Sequence, residues 1–350
     1  MKRLVFLLLV GILALAPPAW SKGENSMLYV ENVQSGDVSV INFNTLKVID
    51  TIKLVPPVEG VEKAVHGVAV SPDGRRLFIT AEADNSLHII DTATDRVLTI
   101  IKLSGTPNEP AVSHDNRFVV IPIRDKDCAQ IVNVAEGKIV KTLPIKAPHN
   151  GYSDGDPRYL WVTSRGSNEV DKVDLESMEW VTKIPVGGEP RPIVVSKDRR
   201  TMYVALTKLH GFAVVDIASG SVTRRVEIPM KHEVHPLRLE SAGTYTHGIG
   251  LTNDDNELWV TSEVDDAVYV YDLTADKVTF ELATGEGPNW VAFTADGKYF
   301  AVSNTDSHDV SVFDVKAHRE VARIKVGNSP KRVDAHVIPT LPVTRVSASK

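Results

Sequence analysis

The sequence predicts an all-β protein, a seven-bladed β-propeller of four-stranded antiparallel blades closed by its own C-terminal strand. Three observations carry this expectation. A unit of about 42 residues recurs along the chain, and a fixed period of that length marks a repeat architecture. Within each unit, short alternating runs rich in Val, Ile, Tyr and Phe are separated by turn clusters, the pattern of half-buried strands. The two ends of the chain together supply the strands of one further unit.

Residues 1–21, MKRLVFLLLVGILALAPPAWS, stand outside the repeat. Lys2 and Arg3 precede an apolar run, and Ala19-Trp20-Ser21 offers a small-residue cleavage site, so this segment reads as a secretory signal peptide. The run is too short for a comfortable membrane span, and no second one follows it. The expected location is therefore the periplasm or the exterior, with residues 22–350 forming the propeller. Without Lys2 and Arg3 the basic count falls from 39 to 37 against 45 acids, a formal charge of about −8. That balance argues against nucleic acid, whose binding rests on clustered cations. Cys128 is the sole cysteine, so no disulfide can staple the chain to itself; it is expected as a small buried apolar residue.

After the leader, SMLYVENVQSGDVSVINFNTLKVIDTIKL supplies the second, third and fourth strands of a blade but lacks the first. The first full unit, residues 66–106, is HGVAVSPDGRRLFITAEADNSLHIIDTATDRVLTIIKLSGT. Weaker copies begin at Asn108 and His149, and clear ones at PIVVSKDRR, HGIGLTNDD and NWVAFTADG. The tail PKRVDAHVIPT is the missing first strand, so the chain ends are expected to share a blade and remove the open edge. Blades are thus expected at 26–64 with 330–340, then 65–106, 107–147, 148–189, 190–243, 244–286 and 287–329. Asn42, Asp91, Asn133, Asp174, Asp216, Asp272 and Asp314 each close a third strand, where an Asx side chain sets up the next turn.

The phrases VSPDGRRLFITAEADNSLHIIDTATDRV, LYVENVQSGDVSVI and LWVTSRGSNEVDKVDL resemble the YVTN β-propeller repeat over nearly all of the chain after the leader. The tetrad appears in degenerate form as YVEN, FITA, WVTS twice, YVAL and AVSN. The resemblance implies a seven-bladed propeller and no single activity. Its wider circle includes cell-surface repeat proteins, lactonase-like enzymes and the haem d1 propeller of cytochrome cd1 nitrite reductases.

Inner strands of a propeller begin where the previous blade hands over, so their first residues ring the channel mouth. Aligning the units on a recurrent Pro gives Lys331, His66, Asn108, His149, Arg191, His247 and Asn289, all polar and none acidic. Three of the eleven histidines share this repeat position. The loop between second and third strands adds Glu82, Arg124, Arg165 and Glu263 on the same face. A carboxylate beside an imidazole ligates metal directly or fixes the ligand's tautomer. His66, His149, His247, Glu82 and Glu263 therefore form a candidate metal set, with His232 and His235 in a long fifth-unit loop as additional donors. Copper, iron and zinc all suit imidazole. Arg124, Arg165, Arg191 and Arg332, with Trp290 as a stacking platform, would receive an anionic substrate or cofactor; alternatively the arginines form a cross-blade ion-pair network and the histidines bond to water.

Three functions follow. The first is a metal- or cofactor-dependent periplasmic oxidoreductase built on a His-rich funnel. It has a variant in which a haem d1-like macrocycle takes one His as axial ligand; no Cys-x-x-Cys-His exists for a covalent c-type haem. The second is a non-enzymatic, monomeric propeller that binds a small molecule or partner protein at the mouth. The third, a lactonase-like hydrolase, lacks a Gly-x-Ser-x-Gly nucleophile signature.

Overall fold

The computed structural model describes residues 25–56, 64–230 and 243–339. They form seven antiparallel sheets of four strands each, with one short 3-10 turn at Arg124–Lys126. In blade 1 the strand order from the channel outward is Pro330–Val337, Ser26–Asn32, Asp37–Asn42 and Lys47–Lys53. Blade 2 runs Val65–Val70, Arg76–Ala81, Ser86–Asp91 and Arg96–Lys102, and blades 3 to 7 repeat the plan. Their inner strands are Ala111–Val112, Pro148–Tyr152, Pro190–Val195, Thr246–Leu251 and Pro288–Phe293. Each inner strand packs on those of the blades before and after it, so the seven close into a ring.

The closing strand does what the repeat count requires. Val30 pairs with Val333, Tyr29 with Asp334, Leu28 with Ala335 and Met27 with His336. The edge that Ser26–Asn32 would otherwise present is thereby paired.

Seven hydrophobic clusters hold the ring, one at each seam between neighbouring blades. Trp161 fills the seam between blades 4 and 5, and Trp259 that between 6 and 7; both are fully buried. Second and third strands are buried on both faces, whereas outer strands such as Lys138–Pro144 alternate between exposed and part-buried residues. Cys128 sits in the seam between blades 2 and 3, where burial pushes its thiol pKa up. Among the described residues no helix is long and apolar enough to cross a membrane.

The Asx residues that close the third strands behave alike in all seven blades. Each accepts a backbone N–H from the turn that follows: Asn44 to Asn42 (2.8 Å), Thr94 to Asp91 (2.9 Å), Ala135 to Asn133 (3.0 Å) and Glu176 to Asp174 (2.9 Å). The remaining three are Ser219 to Asp216 (2.7 Å), Ala275 to Asp272 (2.7 Å) and Ala317 to Asp314 (2.9 Å). The side chain thus satisfies a donor that the turn leaves without a ladder partner.

Candidate functional site

The site begins with a backbone irregularity. In blades 1, 4, 5, 6 and 7 the inner strand pairs at its first residue, leaves the ladder for two residues, then resumes. The displaced pairs are Lys331-Arg332, His149-Asn150, Arg191-Pro192, His247-Gly248 and Asn289-Trp290. Each faces a single residue of the second strand: Glu31, Thr163, Ala205, Thr261 and Ser303 respectively. A bulge of this kind re-aims side chains and frees a backbone N–H.

The residue opposite the bulge answers that donor. Thr163 Oγ1 accepts from Asn150 N (3.0 Å), Thr261 Oγ1 from Gly248 N (2.7 Å) and Ser303 Oγ from Trp290 N (3.0 Å). In blade 5 the second bulged residue is Pro192, which has no N–H, and the facing residue is Ala205, which has no hydroxyl. The third letter of the repeat tetrad is therefore a cap for the bulge. Blade 1 departs from the rule: Glu31 Oε2 accepts from Arg332 N (3.2 Å).

Two rings result, because all seven inner strands start at the same end and position along them is depth. The upper ring holds the seven residues read from the register. His66 Nδ1 lies 2.5 Å from Glu82 Oε1, and Arg124 reaches both Glu82 oxygens at 3.3 Å. His149 Nε2 lies 3.3 Å from Arg191 Nη1; Arg191 also donates to Thr207 Oγ1 (3.0 Å) and Gly243 O (3.0 Å). Asn289 donates to Glu263 Oε1 (2.7 Å). Arg191, Thr244, His247, Glu263, Asp306 and Lys331 line a mouth cavity of about 370 Å³.

The lower ring plugs the channel. Arg332 is 1% exposed and reaches across the axis: Nη1 to Asn289 Oδ1 (3.2 Å), Nη2 to Asn150 Oδ1 (3.4 Å) and Nε to 3.3 Å from Glu109 Oε2. Its guanidinium carbon lies 4.1 Å from the centre of the Trp290 ring, which in turn stacks on Tyr152 at 6.4 Å. Arg332 thus ties blade 1 to blades 3, 4 and 7. Beneath it lies a second cavity of about 620 Å³, lined by residues of all seven blades.

Cations and carboxyls share the space above the plug, Arg191 and Lys331 with Glu263 and Asp306. Burial, then Arg191 and Arg332, hold the His149 imidazole well below its usual pKa, and burial with Arg332, Arg191 and Lys331 does the same to His247. Arg191 itself falls to about 10, through burial and the neighbouring Arg165. Burial raises Glu263 to about 7 and Glu31 to about 8.

Sequence comparison fits this geometry. Residues 101–239 match the YNCE-like beta-propeller family. Antigen Lp49 of Leptospira interrogans is 21% identical over 281 residues, 80% of this chain and 51% of that protein. The uncharacterized protein YncE of Salmonella typhi is 25% identical over 162 residues, 45% of this chain and 46% of its own. The chain thus spans about half the length of these curated relatives. Among solved structures, hydrazine synthase of Kuenenia stuttgartiensis superposes with a TM-score of 0.67 at 19% identity, covering 78% of this chain and 91% of that one. Dihydro-haem d1 dehydrogenase NirN in complex with DHE superposes with a TM-score of 0.63 at 18% identity, covering 91% and 76%. Both share the fold.

Placed on this frame, the candidate metal donors part company. His66 and Glu82 meet, but His149 turns to an arginine, and Glu263 bonds Asn289 of the next blade instead of His247. Among the described residues no three His, Cys, Asp or Glu side chains are grouped to hold a metal ion. His232 and His235 lie outside the described residues. Two arginines do form cross-blade ion pairs, Arg124 with Glu82 and Arg332 with Glu109, while Arg165 pairs with Glu189 at the end of its own blade (2.7 Å). Trp290 lies one step deeper than a mouth platform: it lines the lower cavity.

Sequence reasoning missed Glu31, Glu109, Asn150 and Tyr152, although the residue following each ring position would have pointed to Glu109 and Asn150. It also missed a pair between His210 Nε2 and Ser262 Oγ (2.8 Å). There Nδ1 donates to the carbonyl of Ile228 (2.6 Å), and Nε2 lies against both Ser262 Oγ and Asp265 Oδ2 (3.4 Å). Both side chains are buried, which makes this pair part of the architecture and not an exposed nucleophile.

Proposed function

We propose that the chain is an exported binding propeller whose mouth captures a small anion bearing a carboxylate or phosphate. One observation carries the reading. Arg191 is 8% exposed, lines the mouth cavity, and has no carboxylate within ion-pairing distance among the described residues. A buried cation without a counter-ion is costly, and an anionic ligand is the group that offsets it. The depressed His149 and His247 reflect burial and the neighbouring arginines, and Lys331 is a second cation on a wall that also carries Glu263 and Asp306. Arg124 and Arg165 extend the basic rim. The leader at residues 1–21 supports a periplasmic or secreted location.

The test is calorimetric titration with succinate and with inorganic phosphate. Arg191→Gln is expected to weaken the bound anion about 10- to 100-fold, the range for a charge-assisted hydrogen bond. Equal affinity in wild type and variant, or no binding of either anion, removes the reading. A metal-dependent oxidoreductase is less well supported, because the described donors do not converge. Elemental analysis of untagged protein decides that alternative directly.

The likeness to NirN favours one particular anion, a carboxylate-bearing macrocycle. Arg191 and Lys331 would meet its carboxylates, and the neutral His247 imidazole would offer an axial nitrogen. An absorbance spectrum of protein purified from its native host checks this.

A further inference from the structure

We propose that the far end of the channel is a second, separate binding site, for an organic cation: an ammonium group on an apolar or aromatic body. The cavity there is the larger of the two, about 620 Å³, within the usual range for small-molecule sites. Its wall is apolar and aromatic, with Tyr152, Trp290, Phe293, Val112, Ile193 and Val333 facing the space.

The carboxyls on that wall are Glu109 and Asp334, with the imidazoles of His114 and His336 on the same wall, and neither Lys nor Arg is among its lining residues. Glu109 is 5% exposed, and its Oε2, though 3.3 Å from Arg332 Nε, is not aligned for a hydrogen bond; both atoms are buried without one. Asp334 Oδ2 accepts from Val70 N at 2.7 Å, which orients the carboxylate but adds no charge. Glu31 adds a third buried carboxyl above them, with Oε1 also lacking a hydrogen-bond partner. Arg332 is thus the one guanidinium set against Glu109 and Asp334, while Glu31, with a pKa of about 8, holds its proton near neutral pH and adds no charge. Buried polar groups left in this state call for a partner. An ammonium ion supplies both the missing charge and the missing donors, and aromatic side chains favour a cation on their faces. An anion meets the opposite conditions here, and Arg332 with Trp290 separates this space from the mouth.

The experiment is calorimetric titration with phenethylammonium and benzyltrimethylammonium, with 3-phenylpropionate as an anionic probe of similar body. Phenethylammonium, which brings N–H donors as well as charge, is expected to bind at least tenfold more tightly than the anion, and benzyltrimethylammonium, which brings charge alone, more weakly than phenethylammonium. Asp334→Asn and Glu109→Gln should each weaken phenethylammonium binding about tenfold. Ala292→Trp fills the cavity without touching a charged group, and should abolish binding while leaving the melting temperature near wild type. That variant keeps the test decisive should Glu109→Gln fold poorly. Arg191→Gln, at the mouth, should leave ammonium affinity unchanged, which separates this site from the anion site. Absence of ammonium binding to wild type, anion affinity equal to that of the ammonium ions, or undiminished binding in Ala292→Trp would each overturn the proposal.

Discussion

At the mouth, Lys331, Arg191 and His247 share the wall with Glu263 and Asp306; a few residues further along the same strands, the wall carries Glu109, Asp334, His114 and His336 among aliphatic and aromatic side chains, with no Lys or Arg. Both compartments are cut from one repeated element, and they differ because depth along the strand is a separate variable from blade number. The repeat sets the scaffold, while the residue chosen at each depth sets the chemistry. Arg332 lies at the boundary and belongs to both: its charge depresses the imidazoles above and meets the carboxyl of Glu109 below.

Removing that boundary residue is the most severe way to break the contrast. Arg332→Met leaves Glu109 buried without its cation, and is expected to cost about 3–5 kcal/mol of stability in urea denaturation, as for other broken buried pairs. Adding Glu109→Gln to that variant should restore part of the loss; no recovery would mean that the guanidinium acts through packing on Trp290 alone.

A more gradual effect, spread over several pH units, tests the acidic half. Glu31 has a folded-state pKa of about 8, raised by burial from an ordinary 4.5. Between those values the native state holds a proton that the unfolded chain releases, so unfolding becomes easier as pH rises through this window. The slope approaches about 1.4 kcal/mol per pH unit for one such group. Glu31→Gln should flatten it, leaving the variant close to wild type near pH 4.5 and more stable near pH 8. Parallel melting curves across this range would show that Glu31 does not titrate in the fold.

The smallest effect sharpens the contrast by standing apart from it. Asp272→Ala removes a turn acceptor away from the channel and should cost about 1 kcal/mol while leaving succinate and ammonium binding intact. A change in either affinity would mean that the blades transmit strain to the channel.

The blade count and the closing pair of Ser26–Asn32 with Pro330–Val337 were legible, because each depends only on period and register. The lower ring was not. Arg332, Glu109, Asn150 and Trp290 come from four blades, and whether they meet depends on the width of the channel, which no repeat spacing encodes. Glu263 was expected beside His247 but reaches Asn289, since its loop lies over the seam and can serve the next blade. Glu31 carried a visible signal: YVEN puts an acid where WVTS and AVSN have a hydroxyl, and that departure falls in the blade whose bulge contains Arg332.

The strand that completes the ring also carries Lys331, Arg332 and Asp334. Its partner lies about 300 residues earlier in the chain, a separation that makes closure a late event during synthesis. Sealing the cylinder and installing its internal wall are consequently one act of assembly. An unfinished polypeptide has neither an upper chamber nor a lower one, so both exist only in molecules whose last strand has docked.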